Sequence, residues 1–189
     1  CAYRRKEHMN FTHVSAVLLT LIIYAILALS YFGWGRGTIY LFGMNRKESF
    51  SATPLIWAGW AITLFFFQIV HFILPITAFV AIPVLLAGVA FAIPQIVAIN
   101  RQNMNQLTMK KMMSVMCIAV VVITVAGWIA SRSMLSPTIF DSGLYHFNKI
   151  RWINTFPIVP GLGNLHGRLA YNLSFFDYVA ALNFHPFFG

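Results

Sequence analysis

Charge is what this sequence has least of. Only 9% of its 189 residues are Asp, Glu, Lys or Arg, against about a quarter in a soluble domain. With 59% hydrophobic residues and a mean hydropathy of +0.75, that deficit excludes both a water-soluble globule and a disordered tail. Cysteine is nearly absent. Cys1 and Cys117 are too few for a disulfide framework. Acids are scarcer than bases: Glu7, Glu48, Asp141 and Asp177 stand against 13 Lys and Arg, for a net charge of +9. Such an excess ordinarily suggests nucleic acid. Here the positive residues form small groups between long uncharged runs, so membrane lipid is the expected partner and nucleic acid is not.

The runs are long enough to cross a bilayer, whose core of about 30 Å needs about 20 apolar residues in helix. The first spans Val14 to Trp34. From Ser49 to Asn100 there is no charged residue, which as one helix would be about 78 Å long. It must fold into two spans, about 54–74 and 76–99, with Pro75 at the break because proline removes a backbone donor and disfavours helix before it. Pro83 and Pro94 should kink the third span. A fourth run covers 112–130. The expected fold is therefore all-α integral membrane: a four-span region, 1–131, followed by an extracytoplasmic loop, 132–189, with juxtamembrane amphipathic helices. A start at Cys1 and an end at Phe187-Phe188-Gly189 are what a fragment of a longer protein would show.

Orientation follows from the basic groups. Arg36, Arg46 and Lys47 lie between spans one and two, and Arg101, Lys110 and Lys111 between three and four, which assigns both loops to the cytoplasm. Arg4, Arg5 and Lys6 argue the other way. The two internal loops agree, so residues after Arg132 are expected outside.

That outer segment is where chemistry is expected. Asp141 to Ile153 reads as a short helix on which Asp141, Tyr145, Asn148 and Trp152 share one face and Leu144, Phe147 and Ile150 the other. A cap is an equally good reading of Asp141, since the carboxylate would accept a backbone N–H at the helix start. In the stretch Ile158 to Asn172, three glycines would let backbone amides approach an anion, and Arg168 would grip a phosphate. Neither a Walker loop nor a dinucleotide fingerprint is present. His146, His166 and His185 lie too far apart in sequence for a zinc motif. His71, inside span two, is expected to be a neutral imidazole bonded to a neighbouring helix, although an intramembrane ionisable residue is also a functional candidate.

The pieces Asp141-x-x-Leu-Tyr-His146, Ile150-Arg-Trp-Ile153, Val159-Pro-Gly-Leu-Gly-Asn-Leu-His166 and Arg168-Leu-Ala-Tyr-Asn172 closely resemble a family of bacterial multi-pass membrane proteins similar to GT-C-type glycosyltransferases. The resemblance covers nearly the whole chain, but only the amino-terminal portion of a longer family member. It implies a polyprenyl-phosphate-linked sugar as donor, a surface polysaccharide, lipid or protein as acceptor, and a place in the bacterial cytoplasmic membrane with the active loop outside. It further implies that Asp141 is the catalytic acid of that loop, deprotonating an acceptor hydroxyl or orienting a metal. Tyr145, His146, Arg151, Asn164, His166, Arg168 and Asn172 are the substrate-binding candidates it suggests; whether a divalent metal takes part stays open. Asp177 stands outside this set with no assigned role. The alternatives are a transport or export component whose path includes His71, and a non-catalytic assembly protein.

Overall fold

The computed structural model describes residues 2–43, 51–103, 109–135, 140–170 and 174–187. No strand occurs among them. Four helices are long and apolar enough to cross a membrane: α1 (Ala2–Leu41), α2 (Ala52–His71), α3 (Ala78–Asn103) and α4 (Met109–Ser133). Two nine-residue helices follow, α5 (Phe147–Thr155) and α6 (Ser174–Leu182). The chain divides into two units, Cys1–Ala28 with Pro94–Pro137, and Leu29–Ile93 with Thr138–Gly189.

In the first unit, α4 is apolar on every side. Ile118, Val122, Ile123 and Ile129 are all exposed, as is Cys117. A helix apolar all round suits hydrocarbon rather than a core in water. His13 Nε2 lies 3.3 Å from Ser131 Oγ at its end.

The second unit holds the candidate site. α1 runs past Trp34 and Arg36 to Leu41, farther than hydropathy suggests, because Gly33, Gly35 and Gly37 do not stop it. Two of these glycines are points of contact instead. A Cβ at Gly33 would overlap the backbone of Gly88 in α3, and one at Gly35 the backbone of Leu55 in α2. Gly59 answers from α2, where a Cβ would overlap the Tyr31 carbonyl oxygen. Small residues let membrane helices approach at backbone distance, where dispersion rather than hydrophobicity holds them. Trp34 Nε1 donates to the Val84 carbonyl at 3.0 Å, and its ring meets Phe91 edge-on at 5.3 Å.

α2 ends at His71, three residues before Leu74, and α3 begins at Ala78; the intervening segment contains Pro75. α3 is then continuously helical through Pro83 and Pro94. The open backbone groups of the break are satisfied by the C-terminal segment. Ile76 N donates to Ile153 O at 3.0 Å and Ala78 N to His185 O at 2.8 Å. Asn154, buried, donates from Nδ2 to Ile76 O at 2.5 Å and Ala180 O at 2.9 Å, and its Oδ1 accepts from Asn183 at 3.0 Å. Around these bonds Phe67, Ile76, Ala81, Val84, Ile153, Phe176, Ala180 and Ala181 form the core. Non-helical backbone is tolerated near the membrane when protein covers it in this way.

Candidate functional site

The segment from Asp141 does not begin as a capped helix. Asp141 itself has helical dihedrals (φ −59°, ψ −27°) and its side chain makes no capping bond. The chain instead passes through a π-helical turn, Ser142–His146, before α5. A π turn fits more residues per turn than an α-helix, so it rotates every later side chain relative to the expected faces. Lys149, Ile153 and Asn154 are the buried side of α5, while Leu144 and Phe147, on the face expected to lie on the bilayer, are exposed.

With the cap excluded, the Asp141 carboxylate is free for tertiary contacts. Arg168 Nη1 donates to its Oδ1 at 2.8 Å, and the Tyr145 hydroxyl approaches Oδ2 at 3.4 Å. The Arg168 guanidinium also lies 5.0 Å from the centre of the Tyr145 ring. Gly161 sets up the approach of that arginine. It occupies the left-handed region (φ 82°), where glycine carries no Cβ penalty, and starts the Leu162–Asn164 turn that leads into Gly167–Ala170. His166 Nδ1 accepts from the Arg168 backbone N–H at 3.3 Å, and its ring lies nearly parallel to that of Tyr145, centroids 6.3 Å apart. His146 packs edge-on against Tyr145 at 4.3 Å and lies 5.3 Å from the Phe176 ring. Asp141 and Tyr145 hold Arg168 above its ordinary pKa, chiefly through the carboxylate's charge.

Five expected site residues, Asp141, Tyr145, His146, His166 and Arg168, are thus brought together. The contacts of the described residues do not bring Arg151 or Asn164 into the group. Arg151 borders a separate groove with Asn148, Trp152, Thr155 and Phe156, and Asn164 is exposed on its turn. Asn172 lies outside the described residues. For a divalent metal, Asp141 is the one acid in the cluster and it faces an arginine. Among the described residues no three His, Cys, Asp or Glu side chains gather as a ligand set.

A second polar group was not foreseen. His71 is bonded to a neighbouring helix as expected, but through the carboxylate of Asp177 in α6, with Nδ1 3.1 Å from Oδ1 and the side chains 9% and 4% exposed. Its other ring nitrogen, Nε2, faces the Phe156 carbonyl oxygen at 3.3 Å. The expected bond to a neighbouring helix is thus made by a buried carboxylate. Lys149, also buried, completes the group, its Nζ lying 5.0 Å from the Phe176 ring centre. Burial pushes its pKa down and the Asp177 charge pulls it partly back. One signal pointed here. Asp177 stands within an otherwise apolar nine-residue helix, and a buried acid demands a cationic partner.

No curated protein and no solved structure matches the chain. The model of a family described as a domain of unknown function (DUF8201) matches residues 17–189, and the chain belongs to that family.

Proposed function

We propose that this chain is the donor-handling part of a membrane glycosyltransferase of the GT-C kind, working on the extracytoplasmic side of a bacterial cytoplasmic membrane. One observation carries the reading. Asp141, shortly after the last membrane-length helix, is paired at 2.8 Å with Arg168, a residue suited to phosphate. The side chains are 38% and 46% exposed, so solvent screens the pair and an incoming anion can exchange for the carboxylate. The side of the membrane is read from the basic groups of the two internal loops.

The pairing suggests an order of events. The phosphate of a polyprenyl-phosphate sugar engages Arg168 and His166 and displaces Asp141. The freed carboxylate takes the proton of an acceptor hydroxyl as that oxygen bonds to the anomeric carbon. The bond from the anomeric carbon to the phosphate oxygen breaks, and its electron pair stays on the lipid phosphate, which Arg168 neutralises. Tyr145 positions Asp141 and, with His166 parallel to it, offers an aromatic platform for the sugar.

Kinetics of sugar transfer from a lipid-linked donor in proteoliposomes test this. Asp141→Asn should lower kcat by at least about a hundredfold with little change in donor KM. Arg168→Ala should raise donor KM as well. Undiminished transfer by Asp141→Asn removes the proposed role. If neither variant alters transfer but both abolish a protein complex, the loop is an assembly surface.

A further inference from the structure

Arg151, set apart from the Asp141 cluster, stands in a setting of its own. The groove it borders has a volume of about 420 Å³, inside the range of about 300–1,000 Å³ typical of small-molecule sites. Asn148, Trp152, Thr155 and Phe156 complete its lining, all on α5 or at its C-terminal end. It shares no residue with the Asp141 cluster, and nothing in the transfer step above uses it.

An exposed arginine needs no partner, and the Arg151 guanidinium has none among the described residues. What singles it out is its company. The Thr155 hydroxyl donates to the Arg151 carbonyl at 2.7 Å, so its oxygen meets the groove only as an acceptor. Asn148 Nδ2 donates to the Leu144 carbonyl at 3.1 Å, which leaves Oδ1 open. Trp152 and Phe156 supply an aromatic wall, their ring centres 5.2 Å apart and their planes tilted by 40°. That wall is held from behind. Trp152 also borders a cavity of about 70 Å³ between α2, α5 and α6. The Phe156 N–H donates to the Trp152 carbonyl at 2.8 Å, and the Phe156 carbonyl faces His71 Nε2 at 3.3 Å. One cationic fork, two acceptors and a fixed apolar face therefore meet in one groove.

We propose that this groove binds a sugar residue bearing a carboxylate, a hexuronate unit of an anionic polysaccharide. The Arg151 guanidinium pairs bidentately with the carboxylate. Ring hydroxyls donate to Thr155 Oγ1 and Asn148 Oδ1. The C–H face of the sugar lies on the Trp152 and Phe156 wall, whose negative ring faces attract polarised C–H groups. A phosphate, free or in a lipid headgroup, fits less well, because its oxygens only accept and two of the three polar groups here offer lone pairs. A hydrocarbon chain would leave all three unmet. This binding does not depend on sugar transfer.

Ligand-observed NMR titration of methyl glucuronide against the full chain in lipid nanodiscs, with empty nanodiscs as the blank, tests it. Saturable binding is expected. Arg151→Gln and Phe156→Ala both change exposed side chains, so the fold tolerates them, and each should raise Kd at least about tenfold. Methyl glucoside, which lacks the carboxylate, should bind at least about tenfold more weakly than the glucuronide. Arg168→Ala should leave Kd unchanged. No binding by the unsubstituted chain, or an unchanged Kd in either groove variant, overturns the proposal. Equal affinity for the glucoside overturns the carboxylate assignment. Displacement of the glucuronide by inorganic phosphate at equal or lower concentration overturns the sugar in favour of a phosphate. Weaker binding in Arg168→Ala moves the ligand to the Asp141 cluster and overturns the site.

Discussion

Cutting the link between His71 and Asp177 should cost this protein more than almost any other single change in the second unit. The two side chains are 9% and 4% exposed and 3.1 Å apart. Replacing either by Leu leaves the other polar side chain buried without its partner, which costs about 3 kcal/mol. The double replacement leaves neither member of the pair unmet, and Lys149 loses the Asp177 charge there as in the Asp177 single, so its cost should fall below the sum of the singles by at least about 1 kcal/mol. The consequence should be local as well as global. α6 has nine residues, too few to persist as an isolated helix, and Asp177 is its side-chain tie to α2. A double-mutant cycle by denaturant titration in mixed micelles measures the coupling. Hydrogen exchange over residues 174–182 reports the release of α6, which should be faster in either single variant. Singles costing under about 1 kcal/mol each, adding without coupling, would refute a buried bond between His71 and Asp177.

Two further outcomes follow from the same unit and from α4. Gly59→Ala drives a Cβ into the Tyr31 carbonyl and should destabilise by about 1–3 kcal/mol in unfolding titrations, whereas Gly127→Ala, with nothing within 4 Å, should be neutral or slightly stabilising. Lys149 is held below its ordinary value of 10.5, so between its folded pKa and 10.5 the unfolded chain binds more protons than the folded one. Stability should therefore rise with pH through that window, and a pH series of unfolding titrations should show the rise reduced in Lys149→Met.

The spans were legible because hydropathy and length are local properties. Four charge-free runs and Pro75 placed the helices and the break between α2 and α3. The end of α1 was not: the run was closed before Arg36, whereas the helix continues to Leu41, with Gly33 and Gly35 meeting Gly88 and Leu55 at backbone distance. In the site, the family resemblance named Asp141, Tyr145, His146, His166 and Arg168, and the fold brings these five together. It also named Arg151 and Asn164, which sit elsewhere: Arg151 borders the groove beside α5 and Asn164 lies on the Leu162–Asn164 turn. The cap reading of Asp141 failed because its backbone is already helical and its side chain makes no capping bond. His71, Asp177 and Lys149 were each visible as oddities, but what makes them a group is the packing of α2, α5 and α6, which no short-range pattern encodes.

Donor binding tests the central claim most directly. If the donor's phosphate and Asp141 compete for Arg168, removing the competitor helps binding even as it removes the base. Equilibrium binding of a polyprenyl-phosphate sugar to the intact membrane protein should be as tight or tighter in Asp141→Asn than in the unsubstituted chain, and at least about tenfold weaker in Arg168→Ala. Equal affinity in all three proteins, or weaker binding in Asp141→Asn, would contradict the account.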